Sequence, residues 1–78
     1  METLTIYKTD GTCSIKEVPR EKVFDTIKEA VGGMVEITKL GGQTYAVNEE
    51  GLLLGLKRNP TVTAFVGNVV HFNIEALD

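Results

Sequence analysis

Lys57 and Arg58 are the one adjacent pair of basic residues in a chain of 78. They stand in the segment Glu49-Glu50-Gly51-Leu52-Leu53-Leu54-Gly55-Leu56-Lys57-Arg58-Asn59-Pro60-Thr61-Val62-Thr63, between two strand-like runs. Two cations followed by the main-chain amides of an Asn-Pro turn can hold an anionic group, and a long exposed loop can equally meet a protein. Asn48, Lys57, Arg58, Asn59 and Thr63 are therefore the candidate ligand- or partner-binding residues.

Other reactive residue types do not assemble into a signature. Glu49 and Glu50 are neighbours in a turn and need not converge, so they read as solvated carboxylates rather than an acid–base pair. Gly51-x-x-x-Gly55 lacks the Gly-Lys-Ser/Thr that completes a phosphate loop, and Lys57 is displaced from that position. His71 lies in the run 69–74 without a Cys, Asp or second His at ligand spacing, and reads as a solvent-facing strand residue. Cys13 is the single cysteine, which excludes an intrachain disulfide and a thiolate cluster, and a core or half-buried thiol is expected. Without a nucleophile–base pair, metal cluster or phosphate loop, the chain reads as non-enzymatic, with no catalytic residue, metal or cofactor.

A formal charge of −3 works against nonspecific nucleic-acid binding, which rests on a basic surface. With 42% apolar and 24% charged residues the composition is that of a globular protein, and the length predicts one domain over 1–78. The run Leu52-Leu53-Leu54 is far below the roughly 20 apolar residues that cross a bilayer. The opening Met1-Glu2-Thr3 lacks a basic, apolar signal pattern, so a cytoplasmic protein with no membrane partner is expected.

These residues need elements to position them. Thr3 to Lys8 alternates as a strand does, Asp10-Gly11 suits a tight hairpin turn, and residues 12–18 continue the alternation on the return. Pro19 opens a helix over 20–31, whose Val23, Ile27, Ala30 and Val31 form one stripe widened by Phe24. Gly32-Gly33 ends it. Residues 34–40, with Val35 and Ile37 inward, and residues 43–48 form a second hairpin around Gly41-Gly42. Val69 to Ile74 is a last strand, placed near the sheet's centre. Between them, 52–56 reads as a short strand in preference to a single helical turn. Asn59-Pro60 then starts a short helix near 60–66, with Asn59 as N-cap and Gly67 as its end.

The order is an α+β ββαββ(short helix)β, which resembles a β-grasp fold: one helix packed on a mostly antiparallel or mixed sheet. The chain end Ala76-Leu77-Asp78 differs from the di-glycine tail that conjugation requires. The combination Val31-Gly32-Gly33-Met34-Val35-Glu36, Asn48-Glu49-Glu50-Gly51-Leu52, Gly55-Leu56, Asn59-Pro60 and Gly67-Asn68-Val69-Val70 resembles a small family of unknown function. That family is found mainly in bacteriophages, plasmids and the bacteria that carry them. Val62 and Lys57-Arg58 depart from its pattern. The resemblance implies a phage or mobile-element accessory protein in the bacterial host cytoplasm, with a role in counter-defence. Two modes of action follow from it. The 48–63 loop and adjacent sheet edge bind a host protein, or the chain forms a homo-oligomeric sponge. In the sponge, Lys57, Arg58 and amides near Asn59 hold a small anionic (cyclic) nucleotide.

Overall fold

The Asp10-Gly11 turn closes as the dipeptide predicts. Gly11 takes a φ of 88°, and the Asp10 carboxylate accepts the Thr12 hydroxyl at 2.6 Å and the Thr12 N–H at 2.8 Å. The turn joins β1 (Glu2–Tyr7) to β2 (Cys13–Val18), paired in register from Glu2 opposite Val18 to Tyr7 opposite Cys13. The computed structural model describes residues 1–77; Asp78, the last residue of the expected 1–78 domain and of the chain end, lies outside them.

After Pro19 the chain makes a 3₁₀ turn, Arg20–Lys22, before entering α1 (Val23–Val31), so the α-helix begins with its first apolar residue, three residues after the expected start at 20. Val23, Ile27 and Val31 are buried on one side. Phe24 is half-exposed instead of widening that stripe, and lines a surface depression with Arg20, Glu21, Ala76 and Leu77. Gly32, at φ 79°, ends the helix and donates to the Lys28 carbonyl at 3.0 Å, the left-handed cap that a side chain resists.

β3 (Val35–Leu40) and β4 (Gln43–Asn48) form the second hairpin, and β5 (Val69–His71) lies between β1 and β4. The fold is α+β: one α-helix on a five-stranded sheet of order β2-β1-β5-β4-β3 among the described residues. Every ladder is antiparallel, so the mixed sheet offered as an alternative does not occur. Leu4 and Ile6 of β1, Ala46 of β4 and Val70 of β5 meet Val23, Ile27 and Val31 of the helix, with Phe72 completing the core.

The edges differ from the sequence pattern. Ile37 was expected inward, yet it is 37% exposed because β3 is the outermost strand and extends beyond the helix. Cys13, expected as a core or half-buried thiol, is exposed, since it lies on edge strand β2 on the face away from α1. β5 stops at His71, and the chain bends into a 3₁₀ turn, Ile74–Leu77, whose start is held by the Asn73 side chain accepting the Glu75 N–H at 3.0 Å.

The connection 49–68 departs most from expectation. Residues 52–56 are a compact turn, not a strand: Leu54 N–H reaches the Glu50 carbonyl at 2.9 Å, Gly55 the Leu52 carbonyl at 3.2 Å and Leu56 the Gly51 carbonyl at 3.0 Å. These local bonds occupy groups that a strand would offer to a neighbour, and Gly55 at φ 68° reverses the chain. Residues 60–66 do not form the expected helix. Asn59 makes the capping bonds, accepting from Thr61 and Val62 N–H at 3.0 and 2.9 Å. The β-branched run Thr61-Val62-Thr63 then fails to propagate them, and Asn59 N–H closes the loop on the Phe65 carbonyl at 2.9 Å. An isolated bridge between Arg58 and Val66 seals its neck. No helix of the described residues is long and apolar enough to cross a membrane.

Candidate functional site

Three asparagines hold the 49–68 connection to the rest of the domain. Asn59 is wholly buried, and its amide donates to the Tyr7 carbonyl at 2.8 Å and the Gly67 carbonyl at 3.0 Å. With the two N–H groups it accepts, every polar atom of that side chain is engaged. Asn48, also buried, donates to the Val31 carbonyl at 3.1 Å and accepts the Glu50 N–H at 2.8 Å. Asn68 donates to the Ala30 carbonyl at 3.0 Å and accepts the Thr9 N–H at 3.0 Å. Asn48 and Asn68 therefore satisfy consecutive orphan carbonyls at the C-terminus of α1, where the helix lacks partners of its own.

Leu56 anchors the turn from inside. A Cβ on Gly67 would stand 2.8 Å from Leu56 Cδ1, and a Cβ on Gly51 would stand 2.8 Å from Val66 Cγ2 and 3.3 Å from the Asn48 carbonyl oxygen. Both glycines are buried because no larger residue fits. With Leu56 docked, the three residues before Gly55 can only point outward. Leu52, Leu53 and Leu54 are 85%, 86% and 59% exposed.

Beside this leucine knuckle runs a cleft of about 460 Å³. Leu52, Leu53, Val47, Ala64, Phe65 and Val66 form its apolar lining, and Glu36 and Glu49 supply the charged groups at its edge. The cleft owes its shape to two long-range arrangements. The β3–β4 ladder sets Glu36 opposite Val47, and the 58–66 loop lays Phe65 against Tyr45, with ring centroids 5.7 Å apart.

The residues predicted from sequence fall in separate places. Asn48 and Asn59 are buried and spent on main-chain groups, so their spacing reflects folding. Arg58 donates from Nη1 to the Thr63 carbonyl at 2.6 Å, which ties the two predicted residues Arg58 and Thr63 across the 58–66 loop. Lys57 lines a different depression, with Thr9, Glu29, Gly55 and the end of α1. The carbonyl end of a helix carries partial negative charge, which suits a lysine and opposes an anion. Lys57 and Arg58 are consecutive in sequence, but the fold engages them in different places, Arg58 at the Thr63 carbonyl and Lys57 in the depression at the end of α1.

A larger depression of about 550 Å³ lies at the opposite end of the sheet, among Thr3, Thr5, Gln43, His71 and Asn73. His71 donates from Nε2 to Gln43 Oε1 at 2.7 Å and tilts against Tyr45 at 5.4 Å. Neither contact aligns a base with a nucleophile. Among the described residues, no three His, Cys, Asp or Glu side chains stand close enough to share a metal ion.

The leucine knuckle was in view in the sequence as a run too short to span a membrane and as part of a short strand over 52–56, not as an exposed surface. The signal that would have found it is steric. Three leucines between Gly51 and Gly55 in one tight turn cannot all reach a core, and Leu56 already takes the inward position. Glu36, Val47 and Phe65 are distant in sequence and could not be joined to the knuckle without the fold. No family model, curated protein or solved structure matches this chain.

Proposed function

We propose that this chain is a non-enzymatic binding protein whose 48–66 surface engages another protein through the leucine knuckle. The observation that carries this reading is the exposure of Leu52, Leu53 and Leu54 on a turn held by buried hydrogen bonds. Consecutive exposed apolar side chains are selected against unless they serve an interaction. Fully burying a leucine side chain is worth about 1.5–3 kcal/mol, so the three together are able to carry a specific contact. The turn is already ordered, which lowers the entropic cost of binding.

The β-grasp likeness of the element order, the phage or mobile-element setting, the host cytoplasm and the counter-defence role belong to the same proposal and rest on the resemblance given above. The reading as a nucleotide sponge draws less support, because the Lys57–Arg58 pair diverges and Lys57 faces a helix C-terminus.

The test is affinity capture from bacterial lysate with the wild type and with a Leu52→Ser, Leu53→Ser variant, compared by quantitative mass spectrometry. Partners enriched by the wild type and lost from the folded variant are expected. An identical set from both proteins overturns the reading.

A further inference from the structure

We infer that the cleft beside the knuckle selects a cationic amphipathic segment, one that presents an apolar stripe flanked by Lys or Arg. The inference rests on the protein-binding reading above and names the chemistry of its partner. The cleft lining carries two carboxylates, Glu36 and Glu49, and no Lys or Arg among the described residues. Glu50 adds a third exposed carboxylate at the base of the knuckle. None of the three is held in an ion pair: the one salt bridge among the described residues joins Arg20 to Glu2 at 3.5 Å. The neighbouring basic residues are engaged elsewhere: Lys39, three residues after Glu36, lines the depression at the opposite end of the sheet, Arg58 donates to the Thr63 carbonyl, and Lys57 lines the depression at the helix end. An apolar trough edged by unpaired carboxylates is complementary to an apolar stripe edged by cations.

The same charges argue against a second copy of this chain as the occupant. A two-fold contact centred on the knuckle would place Glu49 and Glu50 of one protomer against the same residues of the other, and like charges across an interface disfavour it. An acidic segment would meet the same repulsion. A net charge of −3 adds long-range attraction for a basic partner at low ionic strength.

Titration of the isotope-labelled wild type with two synthetic peptides of about 18 residues, long enough to hold a helix, tests the inference. Both carry one leucine stripe; one has Lys at its flanking positions and the other has Glu. The lysine peptide is expected to shift the amide signals of Leu52, Leu53, Ala64 and Phe65 and to bind about tenfold more tightly than the glutamate peptide, with the difference shrinking as salt is raised. Glu36→Gln with Glu49→Gln should remove most of that difference. Equal affinity for both peptides overturns the charge selection while leaving the knuckle as a protein-binding surface. Concentration-dependent shifts of the same amides without peptide overturn it in favour of self-association. Should neither peptide shift these amides while Leu52→Ser, Leu53→Ser still changes lysate capture, the cationic segment is overturned and the protein-binding reading stands. If that variant changes nothing either, both readings fall.

Discussion

The Asn59 amide nitrogen stands 2.8 Å from the Tyr7 carbonyl oxygen, joining the middle of the long 49–68 connection to the end of the first strand. This buried side chain ties the middle of the loop to the sheet, while Asn48 and Asn68 hold its two ends. The exposed leucines that precede it inherit that fixed position.

Asn59→Ala removes two donated and two accepted bonds and leaves the Tyr7 and Gly67 carbonyls and two amides without their partner. A loss of about 3 kcal/mol is expected, given 1–3 kcal/mol for each buried group left unsatisfied and partial rescue by water. Urea unfolding followed by circular dichroism measures it. A loss under about 0.5 kcal/mol would show that the loop does not depend on this residue.

Gly51→Ala introduces a methyl group 2.8 Å from Val66 Cγ2 and 3.3 Å from a main-chain oxygen, which cannot yield easily. Destabilisation of about 1–3 kcal/mol follows from overpacking. Gly67→Ala should cost at least as much, since φ there is +80° and Leu56 Cδ1 lies 2.8 Å away. Thermal melts of the two variants beside Gly41→Ala, which meets no neighbour within 4 Å at a φ of +58°, separate the steric cost from the backbone cost.

Leu52→Ser with Leu53→Ser should leave stability within about 0.5 kcal/mol of wild type, because both side chains are more than four-fifths exposed. Unchanged unfolding midpoints are therefore expected from the same variant that loses its partner. A stability loss above about 1 kcal/mol would mean that the leucines pack in solution.

Arg58→Glu removes the bond to the Thr63 carbonyl, a single exposed contact, and is expected to cost about 0.5–1.5 kcal/mol. Because Lys57 and Arg58 do not converge, cyclic dinucleotides and mononucleotides should produce no melting shift in the wild type. A shift that Arg58→Glu abolishes would restore the sponge reading.

Asp10 has its pKa lowered, first by the Thr12 hydroxyl and then by the Thr12 main-chain N–H. A carboxyl depressed in the folded state contributes stability above its unfolded pKa and loses that contribution as pH falls through its folded pKa. The hairpin turn should therefore hold at neutral pH and loosen only on acidification below the ordinary aspartate range. A carbon-detected titration of Asp10 checks the direction, and Thr12→Val should move its midpoint up.

Local rules made the two hairpins, the helix and its glycine end legible in the sequence, since Gly11, Gly32 and Gly41-Gly42 occupy the positive-φ positions that those turns require. The same rules failed in the 49–68 connection. Leu52-Leu53-Leu54 is too short for its periodicity to separate a strand from a helical turn, and the turn's own hydrogen bonds and the docking of Leu56 decide against the strand. Asn59-Pro60 forms a true capping geometry with no helix behind it, because the β-branched run Thr61-Val62-Thr63 does not continue it and the Asn59 N–H closes on the Phe65 carbonyl instead. Asn48 and Asn59 drew attention as ligand residues for the reason that makes them structural: asparagine at a bend has polar groups to satisfy, and here main-chain groups satisfy them. Arg58 and Thr63 are joined by a hydrogen bond to the Thr63 main chain, a pairing that the sequence did not indicate.

The central claim, that the leucine knuckle is where this protein meets its partner, is tested most directly by site-specific photo-crosslinking in living bacteria. Benzoylphenylalanine would replace Leu53 in one protein and Lys28, on the exposed side of α1, in another. The proposed binding role predicts a discrete covalent adduct with a second protein from position 53 and none from position 28. No adduct from position 53, or the same adducts from both positions, would contradict it.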